Sequence, residues 1–196
     1  MKKNFLTLLF MLVASFFLLT ACGGNDDPEQ PTVKPTSGYF TYYLLTSRET
    51  LSCMKITATL RTDHEDKSGE VSVDSCIQVN DVADGMAKSL LKSWASSFPQ
   101  SDAVVYQVKF SSESAANLQL IYGLRFEAKQ MEDSAPNPTL GYGTVISFTP
   151  NVGNSLQFNG EFKLSQGVRK DKLTQYAELN STLNESKTQR VLLGSN

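Results

Sequence analysis

The chain has 196 residues, of which 18 are basic, 20 are acidic and 40% are hydrophobic. This length suits one ordinary domain with a substantial core. The basic residues are not clustered, which argues against a nucleic-acid partner. The chain has no Gly-x-Ser-x-Gly motif and no phosphate-binding glycine loop, and we expect no cofactor.

An uncharged apolar segment, residues 5–20, follows two lysines at the amino terminus. It is short for a membrane-spanning helix, which needs about 20 residues, and is typical of a cleaved signal sequence. The Leu-Thr-Ala-Cys sequence that ends at Cys22 resembles the lipobox of bacterial lipoproteins, which have a type II signal peptide. The resemblance implies removal of residues 1–21, a thioether-linked diacylglycerol on Cys22 and fatty acylation of the new amino terminus.

Residues 22–37 are rich in proline and glycine and predict an extended tether. Two glycines and then an acidic stretch follow Cys22, and they resemble the export signal of Bacteroidota lipoproteins. This resemblance implies an outer-membrane lipoprotein at the cell surface, and the periplasmic face is the alternative. Residues 38–196 then form one globular domain, and the chain without residues 1–21 has a net charge near −4.

Alternating apolar and polar residues predict the first strands. Residues 39–45 are apolar on both faces, so we expect a central or covered strand. Residues 53–61 and 70–79 predict a β-hairpin closed by a polar turn.

The hairpin register pairs residues whose numbers sum to 129. This register places Lys55 opposite Asp74 and Cys53 opposite Cys76. Because Cys22 is assigned to lipid, we expect a disulfide between Cys53 and Cys76 in an exported domain. Two free thiols on neighbouring strands are the alternative.

One amphipathic helix is predicted over residues 82–98, where large apolar residues recur every four positions. Asn80 or Asp81 is expected to cap this helix, and Pro99 to end it. A bulge is expected at Gly160, where a hairpin turn would mix the apolar and polar faces. The remaining predicted strands cover residues 104–110, 118–128, 142–148 and 156–164. A helix over 171–183 and a strand over 190–193 are predicted to follow.

This order of elements predicts an α+β fold of mostly antiparallel β structure with about seven strands. We expect a curved sheet or half-barrel packed on the one amphipathic helix, with a second helix near the carboxyl terminus. A β-sandwich with a helical insertion is the alternative.

The chain offers little catalytic chemistry. His64 is the only histidine, and it lies among acids in the predicted hairpin turn. The spacing fits neither a zinc nor a calcium site, so we expect a solvated turn and no metal. A Ser-His or Cys-His nucleophile pair is not expected, and the protein is predicted not to be an enzyme. A hydrolase with two carboxylates is an alternative, because such acids are far apart in sequence.

Two groups of apolar residues are candidate ligand sites. The helix stripe of Met86, Leu90 and Trp94, together with Phe126, would border a pocket between sheet and helix in a carrier of lipids or small apolar molecules. Core packing is the alternative. The first strand carries four aromatic residues, which would stack on sugars if exposed and would otherwise be buried on both faces. They are Tyr39, Phe40, Tyr42 and Tyr43.

Ser134 lies in an Asp-Ser-Ala sequence that resembles the O-glycosylation acceptor of Bacteroidota. Together these features predict a membrane-anchored, non-catalytic binding or accessory module of the envelope. Its partner would be a glycan or a protein, as in adhesion. The lipid carrier and the two-carboxylate hydrolase are the alternatives.

Overall fold

A computed structural model describes residues 38–62, 66–99, 102–112, 118–150, 156–183 and 189–191. The predicted signal sequence, Cys22, the predicted tether and His64 lie outside the described residues. The described strands are β1 (Gly38–Ser47), β2 (Met54–Thr62), β3 (Asp66–Glu70), β4 (Ala103–Ser112), β5 (Leu118–Ala128), β6 (Leu140–Pro150), β7 (Leu156–Ser165) and β8 (Gln189–Val191). The described α-helices are α1 (Arg48–Cys53), α2 (Gly85–Ala95) and α3 (Leu173–Asn180).

The strands form two four-stranded antiparallel sheets. Sheet A has the order β4-β1-β6-β7, and sheet B has the order β3-β2-β5-β8. The predicted α+β fold of mostly antiparallel β structure is confirmed, whereas the single curved sheet or half-barrel is wrong. The helix α1 connects β1 of sheet A to β2 of sheet B, so these consecutive strands do not pair. Alternation along a strand identifies its apolar face but not the sheet to which the strand belongs.

The main core lies between the two sheets. Fully buried side chains enter it from β1 and β2, among them Phe40, Tyr42 and Leu60. The rings of Phe40 and Phe148 lie 5.0 Å apart between centroids. Buried residues of α3 belong to the same core, including Leu173 and Tyr176. The sheets are therefore packed face to face, as in the sandwich alternative.

The helix α2 packs on the outer face of sheet A, where Leu45, Val105 and Val145 meet Ala87 and Leu91. It covers Gly85–Ala95 and is shorter than predicted, and residues 79–81 form a separate 3₁₀ turn before it. Asp84 therefore caps the helix, and the predicted cap at Asn80 or Asp81 is wrong.

The predicted hairpin has the wrong second strand and the wrong register. Residues 71–79 form no strand, and 3₁₀ turns occupy residues 73–75 and 79–81. In the structure Ala58 pairs with Gly69 and Arg61 with Asp66, so the numbers sum to 127. Lys55 accordingly forms an ion pair with Glu70 at 3.5 Å instead of Asp74. The strand β3 is largely exposed at the edge of its sheet, and an exposed edge needs no apolar stripe. Because the sequence of β3 is polar, it was predicted to be part of the hairpin turn.

The strand β7 continues through Gly160, as predicted. Ile146 of β6 pairs with Asn159, and Ser147 pairs with Gln157, so Phe158 is an extra residue in the ladder. This register shift is the expected bulge, two residues before Gly160. The sequence Asn159-Gly160 therefore does not reverse the chain.

Candidate functional site

The outer face of sheet A is only partly covered by α2. With 11 residues the helix is about 16 Å long, whereas the ten residues of β1 span about 33 Å. Helix contacts bury Tyr43 and Leu45 in the second half of β1. The first half, which includes Tyr39 and Thr41, lies beyond this apolar cluster.

A groove of about 610 Å³ occupies this part of the sheet. Its size is within the ~300–1,000 Å³ that is usual for small-molecule sites. Three strands of sheet A, the strand β3 and the turn before α2 supply its walls. Prominent lining residues are Tyr39, Thr41, Asp84, Gln107, Lys109 and Thr149.

The register of sheet A places these side chains next to one another on the outer face of neighbouring strands. In β1, Tyr39, Thr41 and Tyr43 share the outer face because residues two apart point the same way. Across the ladders, Thr149 of β6 pairs with Tyr39, and Lys109 of β4 pairs with Thr41. The groove therefore combines an aromatic ring with hydroxyl and ammonium groups on one rigid surface.

The aromatic residues of β1 divide between the two faces. Phe40 and Tyr42 are buried between the sheets, and Tyr43 is 3% exposed beside α2. Tyr39, in contrast, is 53% exposed and lines the groove. Of the four candidates, Tyr39 alone offers a ring face to a ligand.

Asp84 is a largely buried acid in the groove wall. Its Oδ1 accepts hydrogen bonds from the backbone N–H groups of Met86 at 2.9 Å and Ala87 at 3.0 Å, which caps α2. Its Oδ2 is buried and has no hydrogen-bond partner. Burial raises the pKa of the Tyr43 hydroxyl, and the negative charge of Asp84 raises it further. Tyr43 therefore stays neutral at physiological pH.

Lys109 is exposed at the groove, and no ion pair of its ammonium group is found in the described part of the chain. Lys67 of β3 also lines the groove. Among the described lining residues Asp84 is the one acid, and its Oδ1 is engaged at the amino terminus of α2. The described lining therefore combines two lysines with one acid.

The four residues proposed for an apolar pocket do not come together. Met86 is 51% exposed, and Leu90 and Trp94 pack in the cluster on the outer face of sheet A. Phe126 belongs to sheet B and is buried in the core between the sheets. Sheet A therefore separates Phe126 from the helix, and that predicted pocket is wrong.

Cys53 and Cys76 are free thiols in the structure. Cys53 is buried at the end of α1, and Cys76 is partly buried after a 3₁₀ turn, where its thiol donates to the Ser72 carbonyl at 3.2 Å. Burial raises the pKa of Cys76 to about 11. The disulfide stays a prediction, but the register that favoured it is wrong.

Ser134 lies on an exposed turn beside a second, larger groove. The cations of this second groove already have partners in the fold. Lys170 donates to the backbone carbonyls of Glu132 and Asp133, and Arg169 pairs with Asp171 at 2.9 Å. Ser134 is accessible for modification, and its glycosylation stays a prediction.

No described helix is long and apolar enough to span a membrane. Within the described ranges, His, Cys, Asp and Glu side chains do not gather in groups of three that would hold a metal ion. Comparison of the chain with known protein families, curated proteins and solved structures finds no match.

Proposed function

We propose that the protein is a lipid-anchored lipoprotein of the bacterial envelope and a non-catalytic carbohydrate-binding module. The binding site is the groove on the outer face of sheet A. The half-exposed ring of Tyr39 in that groove carries the proposal.

The chemistry of the groove suits sugars. The C–H faces of a sugar ring pack on an aromatic ring, and Tyr39 offers a ring held on a strand with neighbours on both sides. Sugar hydroxyls need hydrogen-bond partners, and the groove lining includes the polar side chains of Gln107 and Thr149, whereas Thr41 is only 7% exposed. A rigid sheet also lowers the entropic cost of binding, because its side chains are already positioned.

The hydrolase alternative needs two carboxylates on either side of the scissile bond. Among the described residues the groove lining includes one acid, Asp84, and one oxygen of Asp84 is engaged in capping α2. This geometry favours binding without hydrolysis. The experiment below also tests the alternative function as a lipid carrier.

The proposed location depends on the sequence up to Cys22. Anchoring by several acyl chains is nearly irreversible, since each buried methylene group contributes about 0.8 kcal/mol. Residues 23–37 would separate the domain from the membrane by up to ~45 Å at 3.1 Å per residue. A binding module of this kind would meet glycans at the cell surface.

The proposal is tested by screening the full-length chain, in mild detergent, against a glycan array and against lipid vesicles. We expect binding to a subset of glycans, weakened about tenfold or more in Tyr39→Ala because the stacked ring is lost. Leu179→Ala is the control, because Leu179 is 73% exposed on α3 and does not line the groove.

An equal loss of glycan binding in Tyr39→Ala and Leu179→Ala would contradict the assignment of the groove as the binding site. Binding to lipid vesicles or apolar ligands without glycan binding would support the carrier instead. Release of reducing sugar from a bound glycan would support the hydrolase.

A further inference from the structure

We propose that the groove selects carbohydrates that carry an acidic group, and that Lys109 binds this group. This inference rests on the proposed carbohydrate function and adds the charge of the ligand. Three observations carry it: the position of Lys109 on the outer face of sheet A, the absence of an acidic partner for it among the described residues, and the engagement of Asp84 Oδ1 in capping α2.

The register places the ammonium group and the aromatic ring on the same outer face. Lys109 pairs with Thr41, and Tyr39 pairs with Ser111, so Lys109 and Tyr39 are diagonal neighbours. Diagonal neighbours in an antiparallel pair lie about 7–8 Å apart, within reach of long side chains. A sugar ring packed on Tyr39 would therefore place a substituent at the Lys109 ammonium group.

The charges of the groove favour an anionic substituent. Lys109 is exposed and has no ion pair within the described ranges, and Lys67 lies at the same groove. Asp84 reduces this positive charge, but it forms no ion pair with Lys109, and its Oδ1 accepts two backbone N–H groups of α2.

The net charge of the protein does not attract anions. Without residues 1–21 the chain has a net charge near −4, so an acidic polymer would be repelled by the molecule as a whole. Binding of such a polymer would therefore depend on the local charge of the groove. A lysine ammonium group acts as a point charge, so a carboxylate and a sulfate both fit this chemistry.

The test compares polymers that differ in charge and share a backbone. The full-length chain in mild detergent is titrated with polygalacturonate and with its fully methyl-esterified form, and with dextran sulfate and dextran. We expect at least one acidic polymer to bind about tenfold or more tightly than its neutral partner, because a hydrogen bond to a charged group is strong. Added salt should reduce this difference by screening. The two pairs distinguish carboxylate from sulfate as the source of charge.

Lys109→Gln should lower the affinity for the acidic polymers to that for their neutral partners. Tyr39→Ala should weaken both. Lys172→Gln is the control, because Lys172 is an exposed lysine that does not line the groove. Emission from Trp94, the only tryptophan, verifies that each variant is folded.

Lysine on an edge strand such as β4 can also serve to prevent strand pairing between molecules. If Lys109→Gln aggregates but binds acidic and neutral polymers as before, the charge selection is wrong. If acidic and neutral polymers bind equally and Tyr39→Ala abolishes both, the charge selection is wrong and the carbohydrate function stands. If no polymer or array glycan binds, both proposals fail.

Discussion

Asp84 combines a stabilising and a destabilising feature in one side chain. Its Oδ1 caps α2 through two hydrogen bonds, whereas its Oδ2 is buried without a partner. A cap residue contributes about 0.5–2 kcal/mol, and a buried unpaired polar atom costs a comparable amount.

Two substitutions separate these contributions. Asp84→Ala removes the cap and should lower the free energy of unfolding by about 1 kcal/mol. Asp84→Ser keeps a cap oxygen and removes the unpaired one, so it should be at least as stable as the parent. Urea unfolding followed by Trp94 fluorescence measures both. An equal decrease in the free energy of unfolding in both variants would show that the cap hydrogen bonds contribute nothing to stability.

The cysteines differ in burial, and we expect them to differ in reactivity. In the reduced protein Cys76 should react with a thiol reagent before Cys53, which is 1% exposed. The raised pKa of Cys76, about 11, leaves little thiolate at pH 7. The labelling rate should therefore rise about tenfold per pH unit between pH 7 and 10. Faster labelling of Cys53 would contradict the structure, and labelling only after reduction would establish the disulfide.

At the scale of elements, two glycines of β6 allow α2 to approach sheet A. A Cβ atom at Gly143 would lie 2.7 Å from the Trp94 ring, and one at Gly141 would lie 2.8 Å from the Phe98 ring. Trp94 stacks on Phe162 with 5.6 Å between centroids. The two glycines therefore leave room for the Trp94 and Phe98 rings to pack directly on β6.

Gly143→Ala should therefore destabilise the protein by about 1–3 kcal/mol through overpacking. It should also shift the Trp94 emission, because the ring must move. Gly85→Ala is a matched control, since a Cβ at this first residue of α2 meets nothing within 4 Å. That control should stabilise the protein by about 0.4–1 kcal/mol. Urea unfolding measures both, and a harmless Gly143→Ala would contradict the close packing.

Elements with an apolar stripe were predictable from the sequence. The strand β5 was predicted over residues 118–128 and has these bounds. The strand β3 was missed, because an exposed edge strand has no stripe, and the register error followed from that. The alternation in β1 also separates Phe40 and Tyr42 from Tyr39 and Tyr43. The exposure of Tyr39 was not predictable, because it depends on where α2 lies over the sheet.

At the scale of the whole molecule, the observed sandwich and the proposed anchor depend on different parts of the sequence. Period-two patterns were compatible with one curved sheet or with two sheets, and only the connection through α1 distinguishes them. The anchor depends on a short sequence that ends at Cys22 and not on the fold.

We expect Cys22→Ser to abolish incorporation of an alkyne-labelled fatty acid and to release the protein from the membrane fraction. Cys76→Ser should keep both properties, because Cys76 belongs to the folded domain. Fluorescent detection of the label after fractionation measures both. A labelled Cys22→Ser protein would contradict the lipobox assignment.

The central position of β1 has a mechanical consequence for an anchored binding protein. The chain enters sheet A at Gly38, and β1 pairs with β4 over all ten of its residues and with β6 over nine. If the anchor is at Cys22, tension on a bound glycan is transmitted to the membrane through Gly38. Withdrawing β1 would require both ladders to shear, so the strand that carries Tyr39 is also the one best held against pulling.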